Sequence, residues 1–214
     1  MSTQLFFVES PFFSGPLYHR LIRAAQIIWG GITPSKRPMR LSTRLLALRT
    51  VHVGLCRGEE IIHAIHPKVC KESVGDVLDR YSTRFPHCRL WVAPLFSTGQ
   101  PNQLEMWETA ETYLGRPYDW LGAVRAGVDG DFEEAMPFFR YGPDRKSTGA
   151  LFCSELVSRA LRGFASNALA QEEQTPYDVL TDGWVFLQRR ELLGAYWVQA
   201  KKERTPVSQG CALH

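Results

Sequence analysis

One cysteine, Cys153, stands at the start of a predicted helix, directly after a polar segment that contains Ser147 and Gly149. Apolar residues recur at helical spacing from this cysteine onwards, at Leu156, Val157, Ala160, Leu161 and Phe164. A thiol in the first turn of a helix faces the positive end of the helix dipole and unpaired backbone N–H groups, and both favour the thiolate. The same N–H groups could hold the oxyanion of an acyl-transfer reaction. Cysteine is also among the residues most often buried, so a purely structural role is the alternative.

Two histidines lie on neighbouring strand-like segments on either side of Arg57 and Gly58, which are predicted to form the turn of a β-hairpin. This register pairs His52 with His63, on the hairpin face that also carries Gly54. The small Gly54 leaves room there for a substrate or a catalytic helix. A catalytic base needs an orienting partner, and a second imidazole can accept its ring N–H, so His52 is a candidate base oriented by His63. The alternative is that both are partly exposed strand residues without a catalytic role.

The cysteines and histidines show no metal-binding pattern in the sequence. The chain has five cysteines, an odd number without regular spacing, so a disulfide framework is not expected and a reducing compartment of synthesis fits better. No CxxC pair occurs, and the neighbours His87 and Cys88 lack a second pair of ligands. We therefore expect no structural zinc.

The composition is that of an ordinary globular protein. The 214 residues are 44% hydrophobic and 22% charged, which is long and apolar enough for a proper core. The formal net charge is +3, and the nearest approach to a basic cluster is the segment 36–44. Because that charge is small and the segment is typical of a solvated loop, we expect no nucleic-acid partner.

The predicted elements alternate between strands and helices without internal repeats. Predicted strands cover residues 5–8, 51–56, 59–66, 89–93, 184–187 and 195–199. Predicted helices begin near Leu17, near a capping box at Asn102 and Glu105, and at Cys153. We expect a single α+β domain over residues 1–214, with an antiparallel sheet and inserted loops near 30–44 and 127–149.

No targeting or membrane-spanning segment is predicted. The first eight residues lack the basic start and long apolar run of a secretory signal. The most apolar stretch, residues 17–29, is interrupted by two arginines, a histidine and a glutamine, so it cannot span a bilayer. We therefore expect synthesis in the cytoplasm without a signal peptide.

Three segments together resemble a known family. They are TVHVGL at 50–55, RPYDW at 116–120 and FCSELV at 152–157, with a weaker fourth, TPYDVL, at 175–180. In this order they are similar to the histidine strand, the "YD" element and the "CSELV" motif of the circularly permuted branch of NlpC-type, papain-like cysteine peptidases and amidases. The resemblance implies a permuted papain-like fold in which the antiparallel sheet packs against the helix that carries the nucleophile.

Transferred to the matching positions, the resemblance implies that Cys153 is the nucleophile and His52 the base. His63 takes the position of a third polar residue, which is often Glu in relatives, and Glu59 or Glu60 is the alternative. The residues implied to lie beside the cleft and position the substrate are Tyr118, Asp119, Gly54 and Phe152.

The implied reaction is covalent catalysis through a thiol acyl-enzyme, with no metal and no organic cofactor. His52 takes the proton of Cys153, the thiolate attacks an amide or ester carbonyl, and water later releases the acyl group. The resemblance points to amide bonds in bacterial peptidoglycan peptides. It would suit an antibacterial effector that acts in the periplasm after non-classical delivery, or a phage-associated lysis factor. A cognate inhibitor and a delivery protein would then be further partners.

Two other classes of function stay open. Enzymes that resemble lecithin-retinol acyltransferase share the permuted order of histidine and cysteine, so a lipid-directed acyltransferase or thioesterase is one alternative. The residues that could line its acyl groove are Phe6, Phe7, Phe12 and Phe13. The other alternative is a catalytically idle module that keeps the cleft in order to hold a peptide.

Overall fold

The computed structural model describes residues 2–11, 20, 24, 45, 48–94, 103–119, 123, 150–161 and 190–204. Within these ranges the elements follow the order β1 (Gln4–Glu9), β2 (Thr50–Arg57), β3 (Glu60–Ile65), β4 (Lys68–Ser73), α1 (Val74–Arg84), β5 (Arg89–Pro94), α2 (Gln103–Glu111), α3 (Cys153–Leu161), β6 (Glu191–Leu192) and α4 (Leu193–Arg204). The mixture confirms the predicted α+β class.

The strands form one antiparallel sheet in the order β4-β3-β2-β1-β5-β6. Strand β1 lies inside the sheet, between β2 and β5, and its residues Leu5 to Val8 are fully buried. An interior strand has helices or sheet neighbours on all sides, which explains why this segment is a continuous apolar run and not an alternating one. The predicted antiparallel sheet is therefore confirmed.

Helices cover both faces of the sheet, and alternate side chains along each strand fall into two cores. On the face covered by α2 and α3, which we call the α3 face, the core contains Leu5, Phe7, Val53, Leu55, Ile62 and Ala64 of the sheet. On the face covered by α1 and α4, the α1 face, it contains Phe6, Val8, Cys56, Ile61, Leu90 and Val92. In β2, Val53 and Leu55 therefore belong to the α3-face core and Cys56 to the α1-face core, while Val51, beside the register shift between β1 and β2, also lies in the α1-face core.

The β2–β3 hairpin is present, but its register differs from the predicted one by two residues. Arg57 pairs with Glu60, so the turn residues are Gly58 and Glu59. Gly58 has φ 62°, and a two-residue hairpin loop favours a glycine with positive φ at its first position, which is why the turn begins one residue later than expected. Its N–H also donates to the hydroxyl of Tyr196 in α4, at 3.1 Å. Because the shift is an even number of residues, His52, Gly54 and His63 keep their predicted common face, whereas Val51, predicted to share a face with Val53 and Leu55, lies in the other core.

Four described elements were not predicted, namely strands β4 and β6 and helices α1 and α4. Strand β4 pairs with β3 along its whole length, and α1 follows it directly. Ser73 caps α1, because its hydroxyl accepts the N–H of Asp76 at 3.0 Å. The helix buries Val74, Val77 and Tyr81 on the α1 face, which is the spacing of an amphipathic helix.

One predicted strand is wrong, and several predictions fall outside the described residues. Residues 195–199 belong to helix α4 and not to a closing strand. The β-like pattern of that segment comes from Tyr196 and Trp197, which pack partly buried against the α1-face core from a helix. The predicted strand 184–187, the loops near 30–44 and 127–149, and most of the helix near Leu17 lie outside the described residues.

No helix in the described part of the chain is long and apolar enough to cross a membrane.

Candidate active site

The site is built around two imidazoles on adjacent strands. His52 on β2 and His63 on β3 are both buried, with 6% and 0% of their surface exposed. Their ring nitrogens, His52 Nε2 and His63 Nδ1, are 3.1 Å apart. The Phe6 ring lies in T-shaped geometry against both, with ring centroids 6.1 and 6.0 Å away. The structure therefore brings together the two histidines that the sequence placed on one face.

Gly54 is the residue that allows this close approach. A Cβ atom at this position would lie 2.8 Å from His63 Cβ and 2.8 Å from the carbonyl oxygen of Ile62. Real Cβ atoms do not approach other heavy atoms so closely, so any larger residue would push β3 away from β2. The space beside Gly54, where room for a substrate was expected, is filled by His63. In this structure Gly54 positions an imidazole and does not line an open cleft.

A carboxylate that the sequence analysis missed completes the chain of hydrogen bonds. His63 Nε2 lies 2.8 Å from Glu72 Oε2, and the guanidinium of Arg80 binds the same oxygen. Burial raises the pKa of Glu72, but the hydrogen bonds and charges of His63 and Arg80 outweigh it and hold the pKa at about 2. Glu72 is therefore ionised near neutral pH and can only accept hydrogen bonds.

Neither glutamate proposed from the sequence takes this place. Glu60 lies at the surface, where its carboxylate is 3.5 Å from the ammonium group of Lys71, and Glu59 is in the hairpin turn. Glu72 reaches His63 because β4 pairs with β3, with Cys70 opposite His63 and Glu72 opposite Ile61. Its signal in the sequence is a second hairpin, centred on His66 and Pro67.

The ionised carboxylate of Glu72 determines which group donates in the two hydrogen bonds that link Glu72, His63 and His52. Because Glu72 only accepts, His63 must donate through Nε2–H, and burial lowers the pKa of His63, so this ring is neutral and carries one proton. Its Nδ1 is then an acceptor, and His52 must donate to it through Nε2–H. A neutral His52 in this tautomer carries its lone pair on Nδ1. Glu72 thus defines which nitrogen of His52 can act as a base.

Cys153 begins helix α3, and its side chain lies in the α3-face core with 2% of its surface exposed. Burial raises the pKa of the Cys153 thiol to about 11, while backbone N–H groups of Val53, Ser154 and Cys153 itself lower it. The burial effect is the larger, so the thiol is protonated near neutral pH. The helix start supplies the expected amide donors, but it does not by itself produce the expected thiolate.

The thiol and the predicted base meet strand β2 at adjacent residues. Cys153 binds the N–H of Val53 from the α3 face, whereas the ring of His52 lies beside Phe6 and His63 on the α1 face. The hydrogen-bond partners of the thiol in the described part of the chain are backbone N–H groups and the Ser154 side chain. The Cys153–His52 pair therefore stays a prediction, and the structure places the thiol and the imidazole on opposite faces of the sheet.

Tyr118 and Asp119 lie close to the nucleophile through backbone contacts. The N–H of Tyr118 donates to the carbonyl of Pro67 at 2.8 Å, and the N–H of Asp119 donates to the carbonyl of Leu151 at 3.0 Å. This segment therefore ties the start of β4 to the residues that lead into Cys153. Both side chains are half-buried, so their predicted contacts with a substrate remain predictions.

The phenylalanines proposed to contact substrate or lipid are core residues where the structure describes them. The side chain of Phe152 is 1% exposed, and Phe6 and Phe7 are fully buried in opposite cores. A fully buried Phe side chain contributes roughly 1.5–3 kcal/mol to folding, and that accounts for these residues without an acyl groove. Phe12 and Phe13 lie outside the described residues.

Comparisons with known proteins do not identify a family for this chain. No model of a known protein family matches the chain, and no curated protein matches its sequence at a significant level. The resemblance to NlpC-type enzymes therefore depends on the motifs at 50–55, 116–120 and 152–157 and on the weaker one at 175–180, which lies outside the described residues.

Proposed function

We propose that the protein is a cysteine hydrolase of the circularly permuted, papain-like NlpC type, with Cys153 as the nucleophile and His52 as the base. The observation that carries this proposal is the buried chain from Glu72 through His63 to His52, which ends one residue before the amide that binds the thiol. Buried polar groups cost free energy unless they are paired. Here the pairing also leaves a lone pair on one defined nitrogen, which is what a general base requires.

The neutral resting thiol determines how the nucleophile must form. With a pKa near 11, Cys153 does not ionise beforehand, so the proposed mechanism requires the His52 ring to reach the thiol across strand β2 and take its proton at Nδ1. The resulting imidazolium donates from Nε2 to His63, which in turn donates to the Glu72 carboxylate, so the positive charge faces a fixed negative one. His63 and Glu72 are therefore positioning residues, since both act through His52.

The following steps are those of an acyl-enzyme mechanism. The thiolate forms a bond to the carbonyl carbon of an amide, and the backbone N–H groups of Cys153 and Ser154 stabilise the oxyanion. His52 then gives its proton to the leaving amine as the C–N bond breaks. In the second half, His52 takes a proton from water, which hydrolyses the thioester and regenerates the thiol.

The substrate class follows from the resemblance and not from the shape of the site. Enzymes of the family that these motifs resemble cleave amide bonds in peptides of the bacterial cell wall, so the proposed substrate is a peptidoglycan peptide. Such a substrate lies outside the cytoplasmic membrane, and the proposed site of action is therefore the periplasm.

Purified cell-wall sacculi test this function directly. We expect mass spectrometry of the released muropeptides to show cleavage of one type of amide bond by the wild type and none by Cys153→Ala. A parallel panel of acyl esters tests the lipid-directed alternative. Turnover of long-chain esters with unchanged muropeptides would replace the peptidoglycan proposal by that alternative.

Alkylation of Cys153 at different pH values tests the thiol–imidazole pair. A buried thiol with a raised pKa reacts slowly near pH 7 unless a neighbouring base shares its proton. We expect Cys153 to react faster near neutral pH than Cys56 or Cys70, whose pKa values burial raises to about 12 and 11. His52→Ala should remove this advantage. Equal slow labelling of Cys153 in both proteins would indicate an idle binding module.

A further inference from the structure

Three side chains at the outer end of the imidazole chain could bind a metal ion together. The ligand atoms of His63, Cys70 and Glu72 all lie within 4.8 Å of one another. The two strands bring them together because Cys70 is opposite His63 in the β3–β4 register, and Glu72 is two residues further along the same face of β4. This cluster shares His63 with the proposed catalytic chain.

The types of ligand indicate which metal would bind. A thiolate, an imidazole nitrogen and a carboxylate oxygen suit Zn²⁺, whereas Mg²⁺ and Ca²⁺ prefer oxygen ligands alone. Three protein ligands leave a fourth tetrahedral position for water. His63 is buried, but Cys70 and Glu72 are half-buried, so an ion can reach the cluster from solvent through these two residues.

Arg80 limits how tightly such an ion is held. Its guanidinium and His63 both bind Oε2 of Glu72, so a metal can use Oε1 while the ion pair with Arg80 persists. The nearby positive charge repels a cation. The expected site is therefore a reversible one and not a permanent structural centre.

We propose that His63, Cys70 and Glu72 form an inhibitory Zn²⁺ site that switches off the base by reversing the hydrogen bond between the two histidines. A metal on His63 Nε2 replaces the proton there, so the neutral ring must carry its proton on Nδ1. His63 then donates to Nε2 of His52, and His52 carries its proton on Nδ1. The lone pair required to accept the thiol proton is no longer on Nδ1.

The protons in this switch balance with no reactant other than the metal ion and solvent. Each imidazole carries one ring proton before and after binding. His63 releases its Nε2 proton to solvent and takes the Nε2 proton of His52 at its own Nδ1, and His52 takes one proton from solvent at Nδ1. The thiol of Cys70 loses its proton when the sulfur–metal bond forms. Binding of one Zn²⁺ therefore releases one net proton, and the apparent affinity rises with pH.

The effect on activity depends on the proposed hydrolase function, but metal binding does not, so the two are tested separately. Binding is measured on Cys153→Ala, in which the proposed nucleophile cannot bind metal. The probe is Co²⁺, which takes the same ligands and gives a near-ultraviolet absorption band when it is bound by a thiolate. We expect one such Co²⁺ per chain, displaced by Zn²⁺.

Two further cysteine variants in the same background identify the ligand. Cys70→Ala should abolish the thiolate–cobalt band, whereas Cys88→Ala, at another half-buried cysteine, should leave it unchanged. An identical band in the Cys70→Ala protein would overturn the proposed site, whether or not the protein proves to be a hydrolase.

Inhibition is then measured with Cys153 intact. We expect Zn²⁺ to inhibit the wild type and EDTA to restore it, while Cys70→Ala keeps its basal activity and needs at least about tenfold more Zn²⁺ for half inhibition. Equal sensitivity of the two proteins would place the inhibitory ion elsewhere, for example on Cys153 itself, and would overturn the proposed switch. A wild type without hydrolase activity would instead refute the proposed function and leave the cobalt result standing.

Discussion

His63 has two different hydrogen-bonding tasks. It accepts a hydrogen bond from His52 at 3.1 Å and donates one to Glu72 at 2.8 Å. A replacement must do both if Nδ1 of His52 is to keep its lone pair. An amide side chain has one acceptor and one donor group, whereas a carboxylate near neutral pH can only accept.

We therefore expect substitutions of His63 to differ in a defined order. His63→Ala should lower turnover by roughly 10- to 100-fold, as loss of a group that orients a histidine does, and by less than His52→Ala. His63→Gln should recover part of the loss. His63→Glu should not, because it places a second carboxylate beside Glu72. The kcat of each variant is the measurement, with His66→Ala in the exposed β3–β4 turn as the control.

Two results would contradict this account of the site. Equal kcat for His63→Ala and the wild type would leave Cys153 and His52 without an orienting residue. Equal recovery by Gln and Glu would show that the direction of the hydrogen bonds does not matter, and the role assigned to Glu72 would then be wrong.

Acid should destabilise the fold through Glu72 and His63 together. The folded protein holds the pKa of Glu72 at about 2, below its ordinary value of 4.5, and burial lowers the pKa of His63 below 6.5. The unfolded chain therefore binds both protons at higher pH than the folded chain, so the free energy of unfolding falls as the pH falls. The contribution of His63 is lost below about pH 6.5, and that of Glu72 between about pH 4.5 and 2.

Urea unfolding of the wild type and Glu72→Gln over this pH range checks the contribution of Glu72. We expect the wild type to be more stable near pH 7 and the difference to shrink as the pH falls from about 4.5 to 2, where first the unfolded and then the folded chain protonates Glu72. A difference that stays constant down to pH 2 would show that the carboxylate charge does not stabilise the fold.

At the scale of elements, one of the two hairpins around β3 could be predicted from the sequence and the other could not. The alternation of His52, Gly54 and His63 placed the two imidazoles on one face correctly, since an error of two residues preserves side-chain parity. The turn itself was misplaced, because Gly58 could occupy either of its two positions. The second hairpin lacks a glycine turn, with His66 and Pro67 between its strands, so β4 and Glu72 were missed.

The close contact of β2 and β3 at Gly54 predicts a cost for any side chain there. Gly54→Ala introduces a Cβ that would lie 2.8 Å from His63 Cβ and from the Ile62 carbonyl. We expect the free energy of unfolding to fall by about 1–3 kcal/mol, as in other overpacked cores, together with a loss of turnover as the imidazoles separate. Thermal unfolding and kcat are the measurements.

Gly194→Ala in α4 is the matched control, since nothing lies within 4 Å of a Cβ at that position. Alanine favours a helix over glycine by roughly 0.5–1 kcal/mol, so this variant should be as stable as the wild type or more stable, with unchanged kcat. A Gly54→Ala protein that behaves in the same way would show that β3 can move away without disturbing the site.

At the scale of the whole molecule, helices on opposite faces of the sheet supply different residues of the site. Helix α3 brings Cys153 to one face, and α1 brings Arg80 to the other, where it holds Glu72. Local patterns in the sequence located Cys153, His52 and His63, because each stands in a recognisable strand or helix start. Glu72 and Arg80 depend on which strand and helix pack beside β3, and that long-range arrangement leaves no local pattern.

The proposed substrate also makes a prediction for the whole cell. Peptidoglycan lies outside the cytoplasmic membrane, so an enzyme that cleaves it should be tolerated when it stays in the cytoplasm of a bacterium and harmful when an added signal peptide exports it. We expect the exported wild type to cause rounding or lysis, and exported Cys153→Ala to have no effect at the same protein level. Strong killing by the cytoplasmic form alone would point instead to a lipid or an intracellular protein as the substrate. Because Cys153→Ala lacks only the sulfur atom and we expect it to keep the fold, the comparison separates hydrolysis from toxicity caused by export itself.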